Sequence, residues 1–253
     1  MVFVCPNLLT KESSVALQSK PLDISVVIPV LNERENLEPL LVSLREVLEA
    51  LNLTAEIIMA DGGSKDGSQE VARQLGARVV SQSERGYGGA LMAGFAAAQA
   101  PYVLTMDADL SHPPLFVKDL WRQRGEAELV IASRFVKGGK ADMSAFRHVL
   151  SRILNGTYSR VLRLPLADLS SGYRMYRKDV LRKLEIEARD FDVQQEMLVK
   201  VHLLGGRIKE VPFHYQARNS GKSHAKIFKF GWALMATLLR LRRLQKSARS
   251  RSR

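Results

Sequence analysis

Short β-branched runs alternate with longer helical patterns along this chain, and this alternation limits its fold more than any other feature. A strand, a helix and a second strand in succession form a βαβ unit, in which both strands lie parallel in one sheet. The alternation therefore predicts an α/β fold with a mostly parallel central sheet. The expected strands are residues 24–30, 56–60, 78–81, 102–106, 129–133 and 208–211, with an extended segment at 170–176. The expected helices are residues 35–51, 68–75, 89–99, 113–124, 145–162 and 192–204.

Length and composition limit the class of protein. The 253 residues include 46% hydrophobic and 25% charged side chains, which excludes disordered and fibrous proteins and fits one large α/β domain or two small ones. A single cysteine, Cys5, excludes an intramolecular disulfide and a cysteine-based metal site. The uncharged apolar run Phe230–Leu239 is ten residues long, about half of the ~20 that a membrane-spanning helix needs. The N-terminal residues show no secretory-signal pattern, so we expect a cytoplasmic protein.

Two loops that follow predicted strands bring polar residues to one edge of the sheet. Pro29, Leu31 and Glu33 lie at the end of the first strand or just after it, and Asp61 and Asp66 follow the second. In open α/β sheets the ligand crevice lies outside the carboxyl ends of the strands, so these residues are expected to converge. A carboxylate such as Asp61 can accept hydrogen bonds from a nucleotide base or ribose. An ordinary Asp-Gly-Gly-Ser turn is the alternative interpretation of the second loop.

A pair of carboxylates, Asp107 and Asp109, follows the apolar strand 102–106. On an extended backbone, residues i and i+2 point to the same side, so the two negative charges would repel unless a cation lies near them. A hard divalent cation with oxygen ligands fits this pair and can also bridge a diphosphate. Asp-x-Asp also caps helices, and the next residues resemble a helix start, so capping is the alternative interpretation.

The glycine-rich segment 83–89 lies before a predicted helix. It lacks the lysine and hydroxyl residues of a Walker phosphate loop and the full glycine spacing of a dinucleotide-binding loop. We therefore interpret this segment as a turn that leads into a closely packed, alanine-rich helix.

Several motifs, taken together and in their order along the chain, indicate the function more specifically than any one of them. They are Val27–Glu33, Ala60–Gly67, Met106–Pro113, Ala132–Phe135 with Gly138 and Gly139, Asp168–Arg174 and Gln194–Met197. With these motifs the chain resembles glycosyltransferase family 2, and within it the dolichol-phosphate and polyprenol-phosphate mannosyltransferases. The resemblance covers about residues 24–226 and implies a single GT-A-like, Rossmann-type domain at 23–224. An N-terminal arm at 1–22 and a C-terminal helix and tail at 225–253 would flank it.

The resemblance also implies roles for individual residues. The donor-binding residues would be Pro29, Leu31, Glu33, Ala60, Asp61, Asp66, Asp107, Ala108, Asp109 and Arg218. Mg²⁺ or Mn²⁺ would bind Asp107, Asp109 and Ser111. The acceptor phosphate would bind Arg134, Arg147 and Lys222, and the catalytic residues would be Asp107, Asp109 and Arg134. Relatives carry a second Asp where this chain has Ala60, and a Ser-Lys pair where it has Ser223-His224. The lysine role is therefore open between Lys222, His224 and Lys226.

The reaction that the resemblance implies is an inverting transfer of a sugar from a nucleotide-diphosphate donor to polyprenyl or dolichyl phosphate. We expect mannose from GDP-mannose, with a UDP-glucose-dependent polyprenyl-phosphate glucosyltransferase as the alternative. A lipid phosphate has a second pKa of about 6 and is already ionised near neutral pH. The reaction therefore needs no catalytic histidine as a general base.

Positive charge is concentrated at the C-terminus. The formal net charge is +12, and residues 211–253 contain 11 Lys and Arg and no acidic residue. A basic stripe beside a broad apolar face predicts an amphipathic interfacial helix in 225–253, which would hold the protein at the cytosolic face of an anionic membrane. A solvated tail, a helix packed on the domain and a contact with a membrane-protein subunit are alternatives. A non-catalytic membrane- or nucleic-acid-binding subunit is less favoured, because it leaves the acidic pair unexplained and no nucleic-acid-binding motif is present.

Overall fold

The computed structural model describes residues 20–216 and 236–247. Its strands are β1 (Ile24–Val30), β2 (Ala55–Asp61), β3 (Arg78–Ser81), β4 (Tyr102–Thr105), β5 (Leu129–Ser133), β6 (Lys140–Ala141), β7 (Arg174–Arg177), β8 (Ile208–Pro212) and β9 (His214–Tyr215). Its helices are α1 (Arg34–Ala50), α2 (Ser68–Gln74), α3 (Tyr87–Ala97), α4 (Val117–Gln123), α5 (Ala145–Leu162), α6 (Lys178–Leu181), α7 (Val193–Leu203) and α8 (236–247), with a 3-10 turn at Pro114–Phe116. Most of the predicted N-terminal arm lies outside the described residues.

The main sheet has the strand order β3-β2-β1-β4-β7-β5-β8. Its neighbouring strands are parallel except where β7 pairs with β4 and β5. This arrangement confirms the predicted α/β fold with a mostly parallel sheet. The chain runs outward from β1 to β3 on one side and then continues with β4 on the other side of β1. The strand order thus reverses between β1 and β4, and open α/β sheets bind their ligands in a crevice at the carboxyl ends of such strands.

Apolar side chains cover both faces of the sheet. On one face, α1 buries a leucine stripe at helical spacing, which consists of Leu37, Leu40, Leu41, Leu44 and Leu48. The other face is covered by apolar residues of α3, α5, α7 and α8. The sheet thus lies between two helical layers, and the loops at its carboxyl edge project from a rigid base.

The approach of α3 to the sheet depends on one glycine. A Cβ atom at Gly94 would lie 2.3 Å from Val27 Cγ1 on β1, which is closer than carbon atoms approach each other. A side chain at this position would push α3 away from the sheet. The glycine therefore allows α3 to lie close against β1.

Several element boundaries differ from the prediction by one to four residues, and three of these differences lie close to the acidic pair or to Asp168. β4 ends at Thr105, so the acidic pair lies on a bend rather than on an extended strand. The predicted helix 113–124 begins as a 3-10 turn, Pro114–Phe116, and proline fits its first position because the first amides of a helix have no acceptor within the helix. β7 begins at Arg174 rather than at residue 170, because the preceding residues turn around the carboxylate of Asp168.

The predicted C-terminal helix is described from residue 236 to residue 247, as α8. Its Leu238 and Leu241 are buried in the apolar core of the domain, and Arg240 forms an ion pair with Glu196 at 2.9 Å. Leu238, Arg240 and Leu241 therefore contact the domain and not a membrane. For these residues the alternative interpretation, a helix packed on the domain, is the correct one. The rest of 225–253 lies outside the described residues. Among the helices that the structure describes, none combines the length and the apolar character needed to cross a membrane.

Candidate active site

The loops after β1 and β2 are joined at one side of the crevice. The Gly62 amide donates to the Val30 carbonyl at 2.8 Å, and the Asn32 amide donates to the Ser64 hydroxyl at 3.0 Å. The Asn32 side chain in turn accepts a hydrogen bond from the Lys65 amide at 2.8 Å. These bonds bring together the two loops that were predicted to bind the donor.

Two predicted donor-binding carboxylates stabilise these loops from within. Asp61 is 1% exposed and accepts hydrogen bonds from Gln69 Nε2 at 2.6 Å and from amides of its own loop. Asp66 accepts hydrogen bonds from the Ser68 hydroxyl at 2.5 Å and from the Arg34 amide at 3.0 Å. Burial alone would raise the pKa of Asp66, but the hydrogen bonds from Ser68 and Arg34 outweigh burial and lower it. Both carboxylates shape the loops, and their direct contact with a donor stays a prediction.

The other predicted donor residues of these strands differ in exposure. Leu31 is exposed at the start of its loop, and Pro29 and Glu33 are half-buried. Ala60 is fully buried among apolar side chains, so its methyl group does not face the crevice. The predicted donor contact at Ala60 stays a prediction.

Asp107 lies just past β4, on the other side of the crevice. Its amide donates to His112 Nδ1 at 2.9 Å, and its Oδ1 atom lies 3.3 Å from the Tyr87 hydroxyl. His112 is buried and stacks on Tyr173 with ring centroids 4.8 Å apart, so this histidine orders the loop. The Asp107 side chain keeps 32% of its surface exposed, which leaves the carboxylate accessible to a ligand.

Asp109 is turned inward, unlike Asp107. It is 4% exposed, and its Oδ1 atom accepts hydrogen bonds from the Ser111 hydroxyl at 2.5 Å and the Ser111 amide at 3.1 Å. The intervening Leu110 has a φ of 63°, and Ala108 is also buried. The backbone bends at residues 108–110, between and after the two carboxylates, so the expected extended geometry of the acidic pair is wrong. Ser111 is fully buried and orients Asp109, so its predicted contact with a metal stays a prediction.

The acidic pair has the chemistry that a divalent cation requires. Within residues 20–216 and 236–247, no group of three or more His, Cys, Asp or Glu side chains is placed to hold a metal ion. Mg²⁺, however, is commonly held by one or two carboxylates together with substrate phosphates. Asp107 and Asp109 supply two such carboxylates, so the residues present fit a cation whose coordination the donor diphosphate completes.

Arg134 lies just after β5 and forms a buried ion pair with Asp168. Arg134 Nε donates to Asp168 Oδ2 at 2.7 Å and Nη2 donates to Oδ1 at 2.8 Å, while Nη2 also donates to the Ser170 hydroxyl. Burial alone would lower the pKa of Arg134, but the Asp168 charge outweighs burial and raises it, with a smaller contribution from Asp107. Burial would likewise raise the pKa of Asp168, and Arg134 lowers it. The segment that holds Arg134 also reaches the acidic pair, because a Cβ atom at Gly172, two residues after Ser170, would lie 3.4 Å from Asp107 Oδ1.

Glu210 on β8 supports this ion pair and was missed by the sequence analysis. Its Oε1 atom accepts hydrogen bonds from the Asp168 amide at 2.9 Å and the Ser133 hydroxyl at 2.7 Å. Its Oε2 atom accepts a hydrogen bond from the Ala167 amide at 2.8 Å. A carboxylate inside a short predicted strand was the signal that could have identified it.

The glycine-rich segment 83–89 leads into α3 as interpreted. The Gly88 amide donates to the Arg189 carbonyl at 2.9 Å, and a Cβ atom at Gly86 would lie 2.2 Å from that same oxygen. Gly86 has a φ of 99°, which L-residues rarely adopt. The glycines therefore allow the backbone of this segment to lie against the backbone at Arg189. The interpretation as a turn before a closely packed helix is confirmed. The contact of Tyr87, in the same segment, with Asp107 was not predicted.

The remaining predicted acceptor and donor residues are only partly described. Arg147 is exposed in the first turn of α5. Arg218 and Lys222 lie outside the described residues, as do His224 and Lys226, which were considered for the lysine role.

Comparison with known sequences identifies the family. Residues 25–185 match the family described as glycosyl transferase family 2. A dolichol-phosphate mannosyltransferase from Pyrococcus furiosus is 33% identical over 212 residues, which cover 80% of this chain and 59% of that protein. An undecaprenyl-phosphate mannosyltransferase from Micrococcus luteus is 34% identical over 79% of this chain and 86% of its own length. The chain therefore spans only part of the length of the first of these relatives.

Comparison with solved structures agrees with the sequence match. A structure of glucosyl-3-phosphoglycerate synthase from Mycobacterium tuberculosis with Mn²⁺, UDP and glucosyl-3-phosphoglycerate aligns with a TM-score of 0.69 at 24% identity. The alignment covers 87% of this chain and 80% of that chain. A structure of the same enzyme with Mg²⁺ and UDP aligns with a TM-score of 0.68 at 25% identity, over 87% of this chain and 79% of that chain. The shared fold, the family match and the mannosyltransferase relatives lead to one conclusion: the chain belongs to glycosyl transferase family 2 and is a glycosyltransferase.

Proposed function

We propose that this glycosyltransferase moves mannose from GDP-mannose to a polyprenyl or dolichyl phosphate. The observation that carries the proposal is that the segment 168–172 contacts Arg134 through Asp168 and Ser170 and lies beside the Asp107 carboxylate at Gly172. A donor diphosphate bound through a divalent cation and an acceptor that is itself a phosphate require an acidic and a basic group side by side. The names of the Pyrococcus furiosus and Micrococcus luteus relatives support both the sugar and the acceptor class.

The proposed mechanism depends on positioning. Asp107 and Asp109 bind Mg²⁺ or Mn²⁺, which when bound stabilises the negative charge of the departing diphosphate. Arg134 binds the acceptor phosphate through Nη1, which makes no hydrogen bond to any residue that the structure describes, while Asp168 holds its Nε and Nη2. A phosphate oxygen attacks the anomeric carbon as the bond to the diphosphate breaks, with inversion. Because this oxygen is already ionised near pH 7, the step needs no general base.

A lipid acceptor, rather than a soluble one, is supported by the exposed face of α5. Phe146, Val149 and Ile153 are 68%, 56% and 60% exposed and recur at helical spacing on one side of the helix. The exposed Arg147 and Arg152 lie on the same helix, and Arg147 is a predicted acceptor-phosphate residue. Large apolar side chains beside arginines are typical of a helix that lies at a membrane surface.

The proposed location is the cytosolic face of a membrane, with the protein bound peripherally. α5 and the basic residues in 225–253 would both contact anionic lipid, each Lys or Arg near the surface contributing up to about 1 kcal/mol. Leu238 and Leu241 cannot contribute, because they are buried in the domain. A membrane-protein subunit is the alternative partner for the C-terminal segment, and nucleic acid is not a specific partner in this proposal.

One observation favours a second candidate for the sugar donor. The M. tuberculosis enzyme was also solved with Mn²⁺, UDP-glucose and phosphoglyceric acid, and it shares the fold at 25% identity. Glucose from UDP-glucose is therefore the second donor to test.

The test is a matrix of donors and acceptors. Purified protein is incubated with Mg²⁺ or Mn²⁺, with GDP-mannose or UDP-glucose, and with a short polyprenyl phosphate or 3-phosphoglycerate. We expect a polyprenyl-phosphate-linked product with GDP-mannose that is lost when a chelator is added. Transfer to 3-phosphoglycerate alone would show that the acceptor class is wrong, and a preference for UDP-glucose would show that the donor is wrong.

A further inference from the structure

Tyr87 is held in a fixed position beside the acidic pair by contacts from α7 and the loop before it. Its ring stacks on Phe191 with centroids 4.8 Å apart and planes 16° from parallel. Its hydroxyl oxygen lies 3.3 Å from Asp107 Oδ1 and 3.1 Å from Gln194 Nε2. Gln194, Tyr87 and Asp107 are thus connected in a row, from α7 to the more exposed carboxylate of the acidic pair.

The chemistry of these groups sets the direction of both hydrogen bonds. An ionised carboxylate can only accept, so the Tyr87 hydroxyl donates its proton to Asp107. The lone pairs of that hydroxyl then receive the N–H of Gln194, which fixes the orientation of the amide. A tyrosine that donates in one fixed direction holds Oδ1 in place. The other oxygen, Oδ2, lies 3.7 Å from His112 Nε2, which is beyond hydrogen-bond distance, so it can still bind a ligand.

Among the residues that the structure describes, the Gln194 side-chain amide forms one hydrogen bond, to the Tyr87 hydroxyl. Gln194 is 4% exposed, and its Oε1 atom is buried without a hydrogen-bond partner among the residues that the structure describes. An unpaired buried carbonyl is unfavourable, and a methionine or leucine of similar volume would avoid that cost. The hydrogen bond to Tyr87 is therefore what an amide offers at this position and an apolar side chain does not.

Gly172 lies beside Tyr87 and Asp107, where a side chain would crowd both. A Cβ atom at Gly172 would lie 3.0 Å from the Tyr87 hydroxyl and 3.4 Å from Asp107 Oδ1. The Gly172 carbonyl is itself held by the Thr105 hydroxyl at 2.7 Å, on the last residue of β4. The same strand therefore anchors both Asp107 and the wall against which Tyr87 packs.

We propose that Tyr87 and Gln194 are positioning residues, which hold the Asp107 carboxylate in the orientation that binds the divalent cation and the donor diphosphate. The proposal rests on the proposed function, because that function assigns the cation to Asp107. Neither residue touches the reacting atoms. Removal of a side chain that orients a metal ligand commonly lowers metal affinity by about 10- to 100-fold.

The test measures metal binding directly by calorimetry. Mn²⁺ is titrated into the full chain in the presence of GDP, and separately of UDP, for the wild type, Tyr87→Phe, Gln194→Met and the double variant. Tyr87→Phe keeps the stacked ring and removes only the hydroxyl. Tyr102→Phe is the matched control, because it removes the same atom at the opposite end of β4. Thermal unfolding of each variant verifies that the fold is retained.

We expect Tyr87→Phe to weaken Mn²⁺ binding by about tenfold, with Tyr102→Phe unchanged. Gln194→Met should weaken binding in the wild-type background but have no further effect in Tyr87→Phe, because it acts through the tyrosine. Unchanged Mn²⁺ affinity in Tyr87→Phe, or an additive effect of Gln194→Met, would overturn the inference while the proposed function stands. Absence of Mn²⁺ binding by the wild type with either nucleotide would overturn the metal-dependent function itself.

Discussion

The ion pair between Arg134 and Asp168 allows a quantitative prediction about the acceptor side of the site. Asp168 is fully buried and accepts two side-chain hydrogen bonds from Arg134, at 2.7 and 2.8 Å. Asp168→Asn removes the negative charge and points an NH₂ group at the guanidinium. Removing one partner of a buried ion pair costs about 3–5 kcal/mol. We expect Asp168→Asn to lower the free energy of unfolding by about that amount.

A second ion pair provides the control. Arg177 and Asp179 form a bidentate pair of similar geometry, at 3.1 and 2.6 Å, but their side chains are 41% and 53% exposed. Exposed pairs contribute about 0–1 kcal/mol, because water screens the charges. Asp179→Asn should therefore lower the free energy of unfolding by less than about 1 kcal/mol.

The assay is urea denaturation of the wild type and both variants near neutral pH. Equal losses in the two variants would refute the reasoning that burial gives the Arg134 pair its strength. The pH dependence of the free energy of unfolding provides a second test of this ion pair. The pKa of Asp168 is lowered in the folded state from an ordinary value of 3.8, so the stabilisation should be complete above about pH 4 and lost as the pH falls through the folded-state pKa. A difference between wild type and Asp168→Asn that grew on acidification would contradict the assignment.

Three further predictions concern activity and membrane contact. Asp109→Ala should abolish sugar transfer, because a cation at the diphosphate supplies several kcal/mol and each 1.36 kcal/mol is tenfold in rate; chelator-insensitive activity, or a variant within about threefold of the wild type, would contradict this. Arg147→Ala should raise the KM for polyprenyl phosphate and leave the donor KM unchanged, and the opposite pattern would show that its role is wrong. The triple variant Phe146→Ser, Val149→Ser and Ile153→Ser should keep its unfolding midpoint, because these side chains are exposed, but should sediment less with anionic vesicles. Equal sedimentation would place the membrane contact elsewhere.

The elements predicted best are those with a strong local pattern. β1 and α5 have the predicted bounds 24–30 and 145–162, because a run of β-branched residues or a helical apolar stripe is a local property. The short elements α6, β6 and β9 were not predicted, since two to four residues carry no measurable period. The direction of β7 was also beyond local patterns, because parallel and antiparallel strands share the same alternation.

In the candidate site too, the residue types could be predicted from the sequence and their orientation could not. The residue types at the strand ends, above all Asp107 and Asp109, pointed to the carboxyl edge of the sheet because strand ends in an open α/β sheet meet there. Their orientation did not follow, since the bend after β4 turns Asp109 inward and leaves Asp107 accessible.

What the sequence alone determined is the α/β class, the order of the motifs and the chemistry offered at the ends of the strands, because these depend on residue type and local spacing. What only the tertiary structure decided is which groups meet. Asp168 reaches Arg134 from 34 positions along the chain, and Gln194 reaches Tyr87 from 107 positions away. Likewise, only packing buries Leu238 and Leu241 of α8 in the domain while the apolar face of α5 stays exposed. Contacts between distant residues depend on how the layers pack, and no local period in the sequence records them.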